Sequence, residues 1–249
     1  IGSGLLLGRE GPSIQLGASV GQGVAETFKA NRVQKNVFIS SGAGAGLAAA
    51  FNAPIAGLMF VLEEVHHTFS PLVAVTTLTA AIISNFISLN VFGVHPSLNL
   101  GNDQRFPMEY YGYAVLLGII LAIFGLAYHR LTLALPKIYK TLFPKVAPYN
   151  YCIIAFMLII PLGMWNPHVL GGGGELVLAL VKENHTVQFL VGLFVIRFVY
   201  SMISYGTGLP GGIFLPILSL GALLGLAYAE FLIDFLGVDP SVRVSFVFF

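Results

Sequence analysis

Long apolar stretches with few charges, repeatedly broken by glycine or proline, dominate this sequence. Of its 249 residues, 56% are hydrophobic and only 9% are charged, and the mean hydropathy is +0.85. Soluble domains carry about 25% charged residues, whereas a helix crosses the hydrocarbon core of a bilayer with about 20 apolar residues. The sequence therefore predicts an all-α, polytopic membrane protein that is embedded in the lipid bilayer.

Several of the apolar segments are too short or too interrupted to cross a bilayer as straight helices. The segments are Pro12–Phe28, Val37–Leu62, Leu72–Val94, Tyr110–Leu135, Tyr151–Trp165, Phe189–Tyr205 and Ile213–Leu236. Broken helices are tolerated in lipid only where the freed backbone is buried in protein or lines a watery cavity. For the small-residue run Gly42–Gly46, the favoured interpretation is close packing of one helix on another.

An internal repeat is the most specific pattern in the chain. Pro12 and Pro216 each begin the pattern P-x-x-x-L-G-A-x-x-G, and a glycine-rich lead-in precedes each proline. Proline is tolerated in the first helical turn because the N–H that it lacks has no intrahelical partner there. The remaining free N–H groups of such a helix start attract anions. The repeat therefore predicts two helix N-termini that can converge on one anion.

Glu10 stands in the lead-in to the first of these helices. A carboxylate at a helix N-terminus is itself an anion favoured by the exposed N–H groups, so it competes with a dissolved anion and loses that attraction when it is protonated. This placement predicts a gate linked to pH, and the alternative is that Glu10 caps its own helix. Its neighbour Arg9 either raises the local positive potential or faces water.

Glu63 and Glu64 end an apolar stretch that runs from Ala53 to Leu62. Ionisable residues in such a place are either interfacial or functional. A carboxylate beside an apolar wall can carry a proton, which suits a relay towards Glu10. The alternative is an ordinary pair of interfacial acids.

The remaining polar residues exclude several classes of function. His66 and His67 are adjacent, and adjacent residues on a helix do not face each other, so no metal site is predicted. Arg197 lies in an apolar segment and requires a partner or a carbonyl, which favours a structural bond over contact with a transported ion. The 12 Lys and Arg residues nearly balance the 11 Asp and Glu residues, so no nucleic-acid surface is predicted.

Four ordered motifs resemble those of one family, the CLC chloride channels and chloride/proton antiporters of prokaryotic type, also called the voltage-gated chloride channel family. The first is Gly8-Arg9-Glu10-Gly11-Pro12, and the last is Gly211-Gly212-Ile213-Phe214-Leu215-Pro216. Between them lie the segment Gly46–Gly57 and the pair Glu63-Glu64. The resemblance extends over almost the whole chain.

The resemblance implies a homodimer in the cell membrane, in which each subunit has its own anion pathway between two halves of inverted topology. Residues 1–100 would form the end of the first half and residues 101–249 most of the second. The chain would then be an internal fragment of a longer membrane protein. A membrane-embedded enzyme with Glu10 or Glu63 as general base, or a purely structural membrane subunit, is disfavoured, and no cofactor is predicted.

The resemblance also implies roles for individual residues in the transport of chloride and protons. Glu10 corresponds to the external gate, and Glu64 to the internal proton acceptor that exchangers carry and channels commonly replace. The predicted anion-binding residues are Arg9, Glu10, Gly11, Gly212, Ile213 and Phe214. Glu64 favours chloride/proton exchange, and the alternatives that stay open are a passive chloride channel and a fluoride-selective relative.

Overall fold

The computed structural model describes residues 4–93, 106–182 and 185–247, and within these ranges the regular elements are helices. The α-helices are α1 (Glu10–Thr27), α2 (Arg32–Phe51), α3 (Pro54–Phe60), α4 (Pro71–Phe92), α5 (Tyr111–Leu142), α6 (Tyr151–Trp165), α7 (Gly174–Lys182), α8 (Val187–Gly206) and α9 (Phe214–Leu236). A π-helix, Val61–His66, follows α3 directly. The segments long and apolar enough to cross a membrane are α4, α8 and α9, together with Met108–Leu142 and Pro148–Trp165, in which a short 3₁₀ turn precedes α5 and α6.

The predicted segments correspond to these helices, but α7 and the π-helix Val61–His66 were not predicted. The break expected at Asn52-Ala53-Pro54 is confirmed, because Asn52 adopts a left-handed conformation (φ 55°) and Pro54 begins α3. Helix α7 was missed, since its nine residues lie between a glycine run and a polar stretch and are too few for a membrane span. The predicted end of the third segment, Val94, lies outside the described residues.

The chain divides into two compact units. The first unit is Arg9–Ser97, and the second combines Ile1–Gly8 with Leu98–Phe249. The border predicted at residue 100 between the two halves stays a prediction. The inverted relation between the two halves of the chain stays a prediction.

In the first unit, α1 and α2 pack backbone against backbone through glycines. A Cβ atom at Gly17 would collide with the carbonyl oxygen of Gly42, and one at Gly42 would collide with the carbonyl oxygen of Gly17. A Cβ atom at Gly21 would likewise meet the carbonyl oxygen of Phe38. The expected packing role of the Gly42–Gly46 run is therefore confirmed, because only residues without a side chain let these two backbones approach so closely.

The connection between α1 and α2 is fixed by polar side chains. Asn31 accepts a hydrogen bond from the Gln34 N–H, and the Gln34 side chain accepts one from the Asn31 N–H, which forms a capping box at the start of α2. Lys35 lies 2.7 Å from the Glu26 carboxylate and lowers the pKa of that carboxyl. The two helices are thus joined by a short, well-capped turn.

In the second unit, α8 supplies much of the core. Leu190, Leu193 and Tyr200 of α8 are buried together with Leu223 and Leu226 of α9. Two tyrosines of α5 form hydrogen bonds to α8. The Tyr128 hydroxyl lies 3.0 Å from Ser201 Oγ, and the Tyr139 hydroxyl donates to the Ile203 carbonyl at 2.6 Å. The helix that carries Arg197 is therefore held from several directions.

We expect Gly21→Ala to lower the thermal unfolding midpoint of the protein in detergent. The added methyl group must push α1 away from the Phe38 carbonyl, and overpacking of this kind costs about 1–3 kcal/mol. Gly23→Ala in the same helix is the matched control, because no atom lies within 4 Å of a Cβ atom there. That control should be neutral or stabilising by up to about 1 kcal/mol. Equal midpoints for the two variants would contradict the packing described here.

Candidate functional site

The glycine-rich lead-ins of the two repeated motifs are paired with each other. The Gly8 N–H donates to the Gly212 carbonyl at 2.7 Å, and the Gly212 N–H donates to the Gly8 carbonyl at 3.0 Å, in an antiparallel bridge. A Cβ atom at Gly211 would lie 2.7 Å from the Cβ atom of Leu7, so this approach requires glycine. The bridge joins segments that are far apart in sequence, each directly before a helix-capping residue.

The second motif opens α9 without an acceptor side chain at its N-cap. Ile213 is the N-cap residue, Phe214 is the first helical residue, and Pro216 lies in the first turn. By contrast, α8 begins with Thr186, whose hydroxyl accepts a hydrogen bond from the Phe189 N–H. The N–H groups at the start of α9 are therefore not capped by the N-cap side chain, which is the arrangement that suits an anion.

The first motif opens α1 in the same manner. Arg9 is the N-cap residue, and its guanidinium has donors only. Glu10, the first residue of α1, is 8% exposed, and Gly11 behind it is half-buried. The Arg9 guanidinium lies 5.8 Å from the centroid of the Phe51 ring, at the end of α2. Arg9 is exposed as one alternative expected, but it also makes a cation–π contact that the sequence did not predict.

Gly212 differs from the other predicted anion ligands because its N–H group is used in the bridge to Gly8. Its N–H donates to the Gly8 carbonyl, so in this structure Gly212 joins the two lead-ins. Ile213 is half-buried and lines a cavity of about 240 Å³ beside α5, and Phe214 is exposed. Gly212 thus supports this helix start, and anion binding by Ile213 and Phe214 stays a prediction.

Glu64 lies on the π-helix, a rare element that often occurs at functional sites. Val61 and Leu62 at the start of this element are buried in an apolar cluster with Val73. Glu63 and Glu64 are exposed. The predicted gate and the predicted inner acceptor thus have different surroundings within the first unit, because Glu10 is buried at a helix start.

Arg197 is fully buried and binds backbone carbonyls and a serine. Its Nη1 donates to the Val169 carbonyl at 2.9 Å, and its Nη2 donates to the Gly171 carbonyl at 3.3 Å and to Ser219 Oγ at 3.1 Å. The expected structural role of this cation is confirmed. Its partners are mostly main-chain atoms that every residue carries, so the sequence did not reveal them.

The contacts of Arg197 extend to the start of α9. The Ser219 hydroxyl, which accepts from Arg197, donates in turn to the carbonyl of Pro216 in the first turn of that helix. Gly173 has φ +96°, and a Cβ atom there would lie 2.5 Å from Arg197 Nη2. A glycine, a serine and a buried guanidinium thus fix the candidate anion-binding helix start to the segment before α7.

The membrane-competent helices and the two proline-bearing helix starts define a multi-pass α-helical membrane protein of the transporter and channel class. A family model described as voltage gated chloride channel matches residues 1–248. The chain belongs to this voltage-gated chloride channel family, as its four motifs predicted.

Two curated relatives of this chain are described as exchangers. The chain is 33% identical to the H(+)/Cl(−) exchange transporter ClcA of Vibrio parahaemolyticus, over 97% of this chain and 54% of that protein. It is 32% identical to the H(+)/Cl(−) exchange transporter ClcA of Salmonella arizonae, over 92% of this chain and 49% of that protein. The chain thus spans about half the length of the curated relatives that it matches.

Two solved structures share the fold. A slow cyanobacterial Cl−/H+ antiporter superposes with a TM-score of 0.80 at 29% identity, over 98% of this chain and 58% of that one. A CLC-type fluoride/proton antiporter superposes with a TM-score of 0.72 at 23% identity, over 97% and 60% of the two chains. The second likeness shows the fold alone, and both confirm the predicted all-α architecture of the CLC type.

Ser219→Ala should lower the thermal unfolding midpoint, because it deprives a buried guanidinium N–H of an acceptor. Loss of a partner by a buried donor costs about 1–3 kcal/mol. Ser19→Ala is the matched control, since the Ser19 hydroxyl is exposed and donates only along its own helix, to the Gln15 carbonyl. Thermal unfolding in detergent measures both variants, and the control should stay within about 0.5 kcal/mol of the unmodified protein. A midpoint for Ser219→Ala equal to that of the control would refute this role of the serine.

Proposed function

We propose that the full-length protein carrying this sequence exchanges chloride for protons across the membrane. The observation that carries the proposal is Glu10, a buried carboxyl group at the first residue of a helix whose N-cap side chain has no acceptor. Membership of a chloride-transporting family and the exchanger names of the relatives support the choice of chloride and protons. The proposed function is transport rather than catalysis, and no cofactor is required for it.

We assign chloride binding to the start of α9. Ile213 and Phe214 stand at the positive end of the α9 dipole, which attracts an anion without a full counter-charge. Gly212 keeps this helix start in place through its bridge to Gly8. Binding by dipoles rather than by a salt bridge favours exchange, because an anion held in this way is also able to leave.

We assign gating to the start of α1. The Glu10 carboxylate mimics the transported anion at the N–H groups of Glu10 and Gly11, and Arg9 adds positive potential at this helix start. Proton uptake by the carboxylate removes its charge and thereby its attraction to the N–H groups. One side chain therefore both yields its place to chloride and takes up the proton that moves in the opposite direction.

We assign the inner proton station to Glu64. Its carboxyl group lies on an exposed face of the π-helix, where it can take protons from water. A second acid is needed for exchange but not for passive conduction, so Glu64 favours the exchanger over the channel. The proposed assembly is a homodimer in the cell membrane with one pathway in each subunit, as the family resemblance implies.

Glu64→Gln should abolish proton movement while chloride flux persists, because the amide keeps the size of the side chain but cannot carry a proton. The measurement is the internal pH of proteoliposomes containing the full-length protein while a chloride gradient is released. Glu63→Gln is the matched control, since this neighbouring acid is equally exposed. Chloride flux without proton movement in the unmodified protein would establish a passive channel instead.

Glu10→Gln should give chloride flux that no longer depends on pH, because the neutral amide cannot alternate between anion and acid. Chloride efflux from proteoliposomes at acidic and at neutral pH measures this dependence. In the unmodified protein, flux should rise on acidification as the gate is protonated. If the variant kept the pH dependence of the unmodified protein, Glu10 would be only a cap of its own helix.

A further inference from the structure

The π-helix is tied to α2 by one polar contact between side chains. His66, its last residue, places Nε2 3.0 Å from the Oγ atom of Ser40, which is only 3% exposed. A π-helix repeats through i→i+5 hydrogen bonds, so His66 stands one turn beyond Val61, on the buried side of the element. Glu64 lies between these two residues on the exposed side.

Ser40 has acceptors for its hydroxyl proton on its own helix as well as at the His66 ring. The Ser40 hydroxyl donates along its own helix, to the carbonyls of Asn36 (2.9 Å) and Val37 (3.1 Å). A hydroxyl has one proton, and in the arrangement in which Ser40 gives it to one of these carbonyls, Ser40 accepts at the His66 ring and Nε2 carries the N–H.

Ser41, the residue after Ser40 in α2, contacts the start of α4. Ser41 Oγ donates to Thr76 Oγ1 at 3.1 Å and lies 3.2 Å from Thr77 Oγ1, and Thr77 is fully buried. Adjacent serines of α2 therefore hold the end of the π-helix and the first turns of α4. The exposed connection that contains His67 runs between these two attachments.

We propose that His66 is a positioning residue for proton transfer at Glu64: by donating to Ser40, it fixes the π-helix on α2 and thereby the direction of the Glu64 carboxylate. The role rests on the proposed exchange of chloride for protons. The ring acts through its N–H donor and not as a carrier of protons. An amide side chain that offers the same kind of donor is therefore expected to replace it.

The test compares four variants of the full-length protein in proteoliposomes, with chloride and proton fluxes recorded together. His66→Ala should lower the rate of proton transport, measured against an unchanged chloride flux, roughly fivefold, which is the rate factor expected when proton transfer loses the free energy of one hydrogen bond. Ser40→Ala should lower it by a similar factor. The double variant should fall no further than either single variant, because both changes remove the same contact. His66→Gln should restore most of the coupling.

The matched control is His67→Asn, which removes an exposed imidazole from a left-handed position (φ 54°) that asparagine tolerates. Its coupling should equal that of the unmodified protein. A merely structural role would lower both fluxes together and leave their ratio unchanged. If His66→Ala does not fold, the protons moved per chloride are compared between Ser40→Ala, where they should fall, and His66→Gln, where they should be mostly kept.

Three outcomes overturn the proposal. Unchanged coupling in both His66→Ala and Ser40→Ala would remove the positioning role alone. Coupling in His66→Gln as low as in His66→Ala would assign the effect to proton binding by the ring. Chloride flux without proton movement in the unmodified protein would overturn the exchanger and this role together, and it is recognised before any variant is made.

Discussion

The pair of hydrogen bonds between Gly8 and Gly212 is the interaction on which the candidate anion site depends. Inside a membrane protein, every backbone N–H and carbonyl needs a partner, and a broken helix leaves several of them open. Mutual pairing satisfies one N–H and one carbonyl in each lead-in while the chain stays extended. Each lead-in then passes directly into a helix whose N-cap side chain accepts no hydrogen bond from the helix start. Beside this bridge, Gly211 is required by geometry, because a Cβ atom there would collide with Leu7.

Arg197 provides a second support, and its chemistry explains why a cation is tolerated in the core of the second unit. The planar guanidinium reaches the Val169 and Gly171 carbonyls and Ser219 at once, a set of directions that a single ammonium group does not match as well. Partial charges on carbonyls stabilise the buried cation, and the cation in turn orders a glycine-rich segment. The helix start at α9 is thus fixed from both sides.

The sequence predicted those helices whose ends are marked by residues close by in the chain. Proline, glycine and polar residues marked the ends of α6 and α9 and the break before Pro54 with little error. It did not predict the π-helix, whose register depends on a contact with α2, nor α7, which is short and lies among glycines. In the candidate site, Glu10 could be found because its motif is local. The partners of Arg197 could not, because carbonyl groups carry no sequence signature.

The two carboxyl groups of the proposed transport cycle are therefore positioned in different ways, Glu10 by its neighbours in sequence and Glu64 by a contact between residues far apart in sequence. Glu10 is placed by the residues beside it, so any chain with the same motif at a helix start would present a similar gate. The direction of the Glu64 carboxylate depends instead on a π-helical register, and that register on Ser40 and His66, which lie 26 residues apart in sequence. It follows that a glutamate at this position is not sufficient for coupling protons to chloride. The surrounding helix must also be held in a register that a local motif does not specify.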